Sequence, residues 1–219
     1  VDQAGKQQNF TDEERRGVYR AIHERRDIRH FVPGKVNPDV LAQIIKAAHH
    51  APSVGYMQPW RFIHMTNPSY RQLLIDLVNE ERQKTAEALG ERGEMFMDMK
   101  VEGIRECSDV IIVTLPHERD GYIFGRRSMP QMDLASASCA IQNMWLAARA
   151  EGIGMGWVSI FDPEALRRLL AAPEGVEPIA ILCIGYVDCF DDRPLLEVQG
   201  WDERRPLTNI MMENKWQNE

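Results

Sequence analysis

Gly152-Ile-Gly-Met-Gly156, running directly into Trp157-Val-Ser-Ile-Phe161, separates two architectures that the rest of the chain would allow. Closely spaced glycines suggest a dinucleotide-binding turn, in which a strand leads through the glycines into a helix whose first amides meet a pyrophosphate. Here the order is reversed. From Asp133 to about Glu151, Leu134, Ala137, Ile141, Met144, Trp145 and Ala148 form one stripe, so a long helix precedes the glycines. Downstream, β-branched and aromatic residues predict a strand over 157–161. A Rossmann fold is therefore excluded. Ala135, Ala140 and Ala147 keep the helix small and nearly uncharged, which predicts burial on most sides, in the domain centre or across a dimer interface.

Outward from this segment, Asp162-Pro163 opens a helix carrying Leu166, Leu169 and Leu170, and Ile179 to Val187 reads as the strongest buried strand. Asp109 to Leu115 is the best strand of the first half, and Phe62 to Met65 a shorter one. Helix starts are marked by Thr11 with Glu14 at capping-box spacing, and by Asn37-Pro38 and Asn67-Pro68. Strands separated by long helices predict one α/β or α+β sandwich domain spanning 1–219, with the sheet order open. Val1 to Phe10 reads as a polar arm. Residues 80–106 are charge-rich around Met95, Phe96, Met97 and Met99, and are either a solvated helical pair packing that patch on a neighbour or a lid over a pocket. Residues 190–219, with Leu195, Leu196, Trp201, Leu207, Ile210, Met211 and Trp216, are expected to clasp the body or a partner subunit.

Hydrophobic residues at 44% and charged residues at 27% of 219 are ordinary for a folded domain. The net charge of −7 disfavours nucleic acid. No signal-like run or membrane-length apolar stretch is present, so the cytoplasm is the default expectation and no membrane partner is expected. Cys107, Cys139, Cys183 and Cys189 lack metal spacing and read as reduced thiols, and His49 and His50 as structural residues at a helix end. His117 lies in a loop with no nucleophile beside it. Without a catalytic triad or phosphate loop, the chemistry is expected to come from a cofactor.

Ala21-Ile-His-Glu-Arg-Arg-Asp-Ile-Arg-His-Phe31 crowds Arg25, Arg26 and Arg29 into a short span of an acidic chain. Planar guanidinium groups suit phosphate or carboxylate oxygens, so the cluster is either an anion grip or a solvated charge run. Arg204 or Arg205 is a candidate to join it. Ala51-Pro-Ser-Val-Gly-Tyr-Met-Gln-Pro-Trp60 is either a pocket loop for a planar heterocycle, with Ser53, Gly55 and Gln58 lining it and Trp60 as a wall, or a well-packed turn.

Arg25-Arg-Asp-Ile-Arg29, the 51–60 loop, Pro130-Gln-Met-Asp133, the helix from Ala140 to Gly152 and Gly156-Trp-Val-Ser-Ile-Phe161 together resemble flavin-binding nitroreductase-like proteins. Within them, the resemblance is to the branch that forms 5,6-dimethylbenzimidazole, and it extends from about Thr11 to Trp216. It implies an α+β sandwich with a mainly antiparallel central sheet surrounded by helices, an extended C-terminal segment and a homodimer. It further implies that reduced FMN is a substrate, fragmented with molecular oxygen to 5,6-dimethylbenzimidazole and erythrose 4-phosphate, and that a separate NAD(P)H-dependent flavin reductase supplies it. Arg25, Arg26, Asp27, Ile28, Arg29, Ser53, Gly55, Met57, Leu115, Ser159, Ile160 and Arg204 match flavin-contacting positions, with Asp27 and Ser159 as catalytic candidates. Residues 80–106 fall where members of the family have a covering segment, and Arg204 lies in the matching Trp201-x-x-Arg segment of the tail. His30-Phe31 and Arg205 depart from the pattern. An NAD(P)H-dependent nitroreductase that retains its FMN is the rival enzyme, and a flavin store the non-enzymatic alternative.

Overall fold

The computed structural model describes residues 9–216, so the first eight residues of the expected arm and the last three of the clasp lie outside the described residues. In chain order the elements are α1 (Asp12–Glu24), α2 (Pro38–His49), β1 (Arg61–His64), α3 (Pro68–Leu89), α4 (Gly93–Asp98), β2 (Asp109–Leu115), α5 (Met132–Ala150), β3 (Gly154–Val158), α6 (Pro163–Leu169), β4 (Glu177–Gly185) and α7 (Leu195–Val198). The start signals act as read. Thr11 and Glu14 form a reciprocal capping box, and Asn37 and Asn67 each accept an amide hydrogen at their helix starts, with proline at the first helical position.

The strands form a four-stranded sheet in the order β1-β2-β4-β3, every neighbouring pair antiparallel. Alternation along β2 and β4 divides the core. Val110, Ile112, Ile181 and Cys183 face α3, α4 and α6, whereas Ile111, Val113, Leu115, Ala180, Leu182 and Ile184 face α2 and α5. Both faces are covered, which is why Asp109 to Leu115 reads as a continuous apolar run rather than an alternating one. This is the expected α+β sandwich.

The strand predicted over 157–161 is displaced, because β3 spans Gly154–Val158 and two of the glycines lie inside it. They are there for clearance. A Cβ on Gly154 would stand 2.3 Å from Val187 Cγ1, and one on Gly156 would stand 2.1 Å from the carbonyl oxygen of Ile28. The residues after α1 therefore lie flat against β3, where the Ile28 N–H donates to Met155 O at 3.1 Å.

The charged 80–106 stretch belongs largely to α3 and α4, and Phe96, Met99, Val101 and Ile104 are buried against the sheet. The Met-Phe patch packs on the protein's own body. Residues 190–216 divide at Trp201: Leu196 and Trp201 pack on the core, whereas Leu207, Ile210, Met211 and Trp216 stay exposed in the single chain.

Gly156→Ala is expected to lower unfolding free energy by about 1–3 kcal/mol by driving the 25–29 segment off the sheet. An unchanged urea midpoint for the purified variant would show that this close approach is dispensable.

Candidate active site

α1 ends at Glu24, and its C-cap Arg25 turns the chain into extended backbone that runs beside β3. Asp27 is fixed there from both sides. Its Oδ1 accepts the Trp157 N–H at 3.0 Å, and its Oδ2 accepts Nε and Nη2 of Arg29 at 3.3 and 3.2 Å. Arg29 also donates to Lys100 O at 2.9 Å, tying this segment to the chain beyond α4.

The arginines of the motif divide into different tasks. Arg26 donates from Nη1 to the carbonyl oxygens of His23 and Arg25 at 2.8 Å each, and from Nη2 to Asp192 O, so its donors hold backbone. Its Nε is buried with no hydrogen-bond partner among the described residues. Arg25 forms no ion pair among the described residues, and its guanidinium carbon lies 4.5 Å from the centroid of the Trp145 ring. Burial, together with repulsion from Arg26 and Arg204, holds its pKa below the usual arginine value, while Asp27 opposes that shift. Positive charge is concentrated here without an equal number of free acids.

These groups line a cavity of about 620 Å³. Arg25, Arg26, Asp27, Arg29 and Arg204 all reach it, joined by Ile22, His23, Gln142 and the Pro194–Leu196 turn. The volume lies within the range of small-molecule sites, roughly 300–1,000 Å³. Ile22 and His23 lie in the last turn of α1, directly before the arginine motif, a signal present in the sequence. Gln142 and Leu195 carry no local signal, since only the packing of α5 and the tail brings them here.

The other expected site residues lie outside the cavity lining. Ile28 is buried in the core and meets β3 through its backbone, Ser159 is exposed just beyond β3, and Ile160 packs on the core. Ser53 Oγ accepts the Gln58 N–H at 3.0 Å, Gly55 lies beside Phe124, and Met57 and Leu115 are buried. Tyr56 and Gln58 have φ of 55° and 50°, a left-handed conformation unusual for residues with a Cβ and often found at binding loops. Arg205 is exposed and does not line the cavity. No group of histidine, cysteine and acid residues among the described residues is arranged to hold a metal ion.

The sequence profile of the Nitroreductase family matches residues 22–186, from the turn before the arginines through β4. The chain belongs to the nitroreductase family. Membership makes it an enzyme of an oxidoreductase family. The chain is 37% identical over 200 residues to the 5,6-dimethylbenzimidazole synthase of Rhodobacter capsulatus, a match covering 90% of this chain and 97% of that protein. It is 36% identical over 195 residues to the 5,6-dimethylbenzimidazole synthase of Rhodospirillum rubrum, covering 88% and 92% of the two chains. Among solved structures, iodotyrosine deiodinase bound to FMN and 3-iodo-L-tyrosine superposes with a TM-score of 0.72 at 19% identity, over 91% of this chain and all of the other, which supports the fold.

The division among the arginines predicts opposite responses in unfolding without flavin. Arg26→Ala removes charge-assisted hydrogen bonds to the carbonyl oxygens of His23, Arg25 and Asp192 and is expected to cost about 1–3 kcal/mol. Arg204→Ala removes an exposed side chain and should stay within about 0.5 kcal/mol of the parent. Equal urea midpoints for the two variants would contradict the division.

Proposed function

We propose that this chain is a 5,6-dimethylbenzimidazole synthase acting in the cytoplasm, fragmenting reduced FMN with molecular oxygen to 5,6-dimethylbenzimidazole and erythrose 4-phosphate. The product would serve as the lower ligand of vitamin B12. The observation that carries this reading is Asp27, held between the Trp157 amide and Arg29 beside an arginine-lined cavity, in a chain similar over 90% of its length to a protein of that name. A separate NAD(P)H-dependent flavin reductase would supply the reduced FMN.

The donor set fits the flavin. Arg25 and Arg204 form no ion pair among the described residues and line the cavity, where their guanidinium groups suit a phosphate monoester, and the apolar sides of Ile22, Leu195 and Leu196 suit the remainder of such a ligand. When bound, FMN supplies the redox-active ring system that reacts with oxygen. Arg26 and Arg29 keep the cavity wall in place through their carbonyl and carboxyl partners. Asp27 is the group for accepting and returning protons, since its carboxyl is anchored yet about one-third exposed. Ser159 offers a hydroxyl near the same strand end.

A homodimer completes the reading. Ser53, Gly55, Met57 and Leu115 stand apart from the arginine cavity, and Tyr56 and Phe124 beside them are more than 80% exposed. The face of α5 carrying Leu134, Ala135, Cys139 and Gln142 is likewise open in the single chain. Pairing two chains across these apolar surfaces would bring the 53–57 loop of one protomer to the cavity of the other. The 80–106 segment, packed on the core through Phe96 and Met99, would shield the site from beside Arg29, to which it is tied through Lys100 O. Exposed apolar residues of the tail would clasp the second protomer.

Two experiments test this function. Protein loaded with chemically reduced FMN without air, then exposed to oxygen, should yield 5,6-dimethylbenzimidazole and erythrose 4-phosphate by mass spectrometry. Intact oxidised FMN, with NAD(P)H oxidation by the protein alone, would instead identify a flavin-retaining nitroreductase. Asp27→Asn keeps an oxygen for the Trp157 amide and should bind flavin nearly as well, while product formation falls about 100-fold or more. Near-normal turnover would remove Asp27 from proton transfer.

A further inference from the structure

Trp145 is not among the residues that the family resemblance places at the flavin, yet three parts of the site converge on it. Its indole Nε1 donates to Arg26 O at 3.0 Å and to Met155 O at 2.8 Å, bridging the arginine segment and β3. Its ring carries the Arg25 guanidinium at 4.5 Å, and it lies 6.3 Å from the ring of Trp157, whose amide holds Asp27.

The choice of partner for Arg25 has a chemical consequence. Nearby carboxylates are engaged elsewhere: Glu24 by Arg20 and Arg149, and Asp27 by Arg29 and the Trp157 amide. An acid paired with Arg25 would neutralise it and compete with an incoming anion. An aromatic face does neither, because it attracts the cation through the ring quadrupole without cancelling its charge or supplying a carboxylate acceptor for its donors. The N–H donors lie in the guanidinium plane and stay free for phosphate oxygens.

Resting on the flavin reading above, we propose that Trp145 is a positioning residue for phosphate recognition: it holds Arg25 charged, oriented and unpaired at the cavity while its indole N–H fixes the backbone of Arg26. The cation–π contact holds the guanidinium in the free protein and leaves its donors to the phosphate when that arrives. Trp145 thereby sets the preference for a flavin monophosphate over the same flavin without phosphate, and does not itself touch reacting atoms.

The test compares the affinities of the full-length protein for FMN and riboflavin by fluorescence titration, with folding checked by circular dichroism. Trp145→Leu should lower the FMN-over-riboflavin ratio by about tenfold, with riboflavin affinity little changed. Trp145→Phe retains an aromatic face and should keep most of the ratio. Arg25→Ala should reduce the ratio in the parent and add little in the Trp145→Leu background, since the two residues act as a unit. Trp145→Met replaces the leucine variant if that fails to fold. A folded leucine or methionine variant with the parental ratio overturns the inference alone. Equal loss of both flavins also overturns it, by showing a merely structural role. A parent protein that binds both flavins equally overturns the phosphate reading and this inference together.

Discussion

The site depends on how closely the backbone after α1 can lie against β3. Two hydrogen bonds set that contact: the Ile28 N–H donates to Met155 O, and the Trp157 N–H donates to the side-chain carboxylate of Asp27. Side chains at 154 or 156 would fill the space through which the two segments meet, so glycine is required by clearance rather than by turn geometry. With the contact made, Arg25, Arg26 and Arg29 are delivered to one wall of a cavity, and α5 supplies Trp145 and Gln142 behind them.

Concentrating several guanidinium groups in a partly buried wall raises an electrostatic cost that the chain offsets unevenly. Arg26 and Arg29 are satisfied by carbonyl oxygens and by Asp27, which makes them part of the frame. Arg25 keeps its charge against an aromatic face, and Arg204 arrives from the tail with its charge exposed. A cavity left with surplus positive charge is suited to an anion, whereas one with every arginine paired would not be. The acidic character of the whole chain is compatible with this, because the surplus is local.

Much of the secondary structure was legible because its signals are local. Thr11 and Glu14, Asn37-Pro38 and Asn67-Pro68 each satisfy orphan amides within a turn, and the apolar runs at 109–115 and 179–187 could only be buried strands or short helix. The strand at 157–161 was misplaced for the opposite reason. Glycine has low strand propensity, so the reasons for Gly154 and Gly156 to be in β3, contacts with Val187 and Ile28, are invisible in the segment itself. In the same way, the charged appearance of residues 80–106 concealed Phe96, Met99, Val101 and Ile104, which are core residues because β2 and β4 lie beneath them.

By itself, the sequence determined the order of helices and strands, the exclusion of a dinucleotide turn at Gly152 to Gly156, and the family resemblance carried by Arg25 to Arg29. The first two follow from hydrogen bonding and periodicity over a few residues, whereas the resemblance rests on the identity of particular residues. Tertiary structure decided which arginines frame the cavity and which face it, that Gln142 and Leu195 join it, and that Trp145 rather than an acid accompanies Arg25. A guanidinium group is the same in every position of a sequence; its role is fixed by the carbonyl, carboxylate or ring that the fold places within reach.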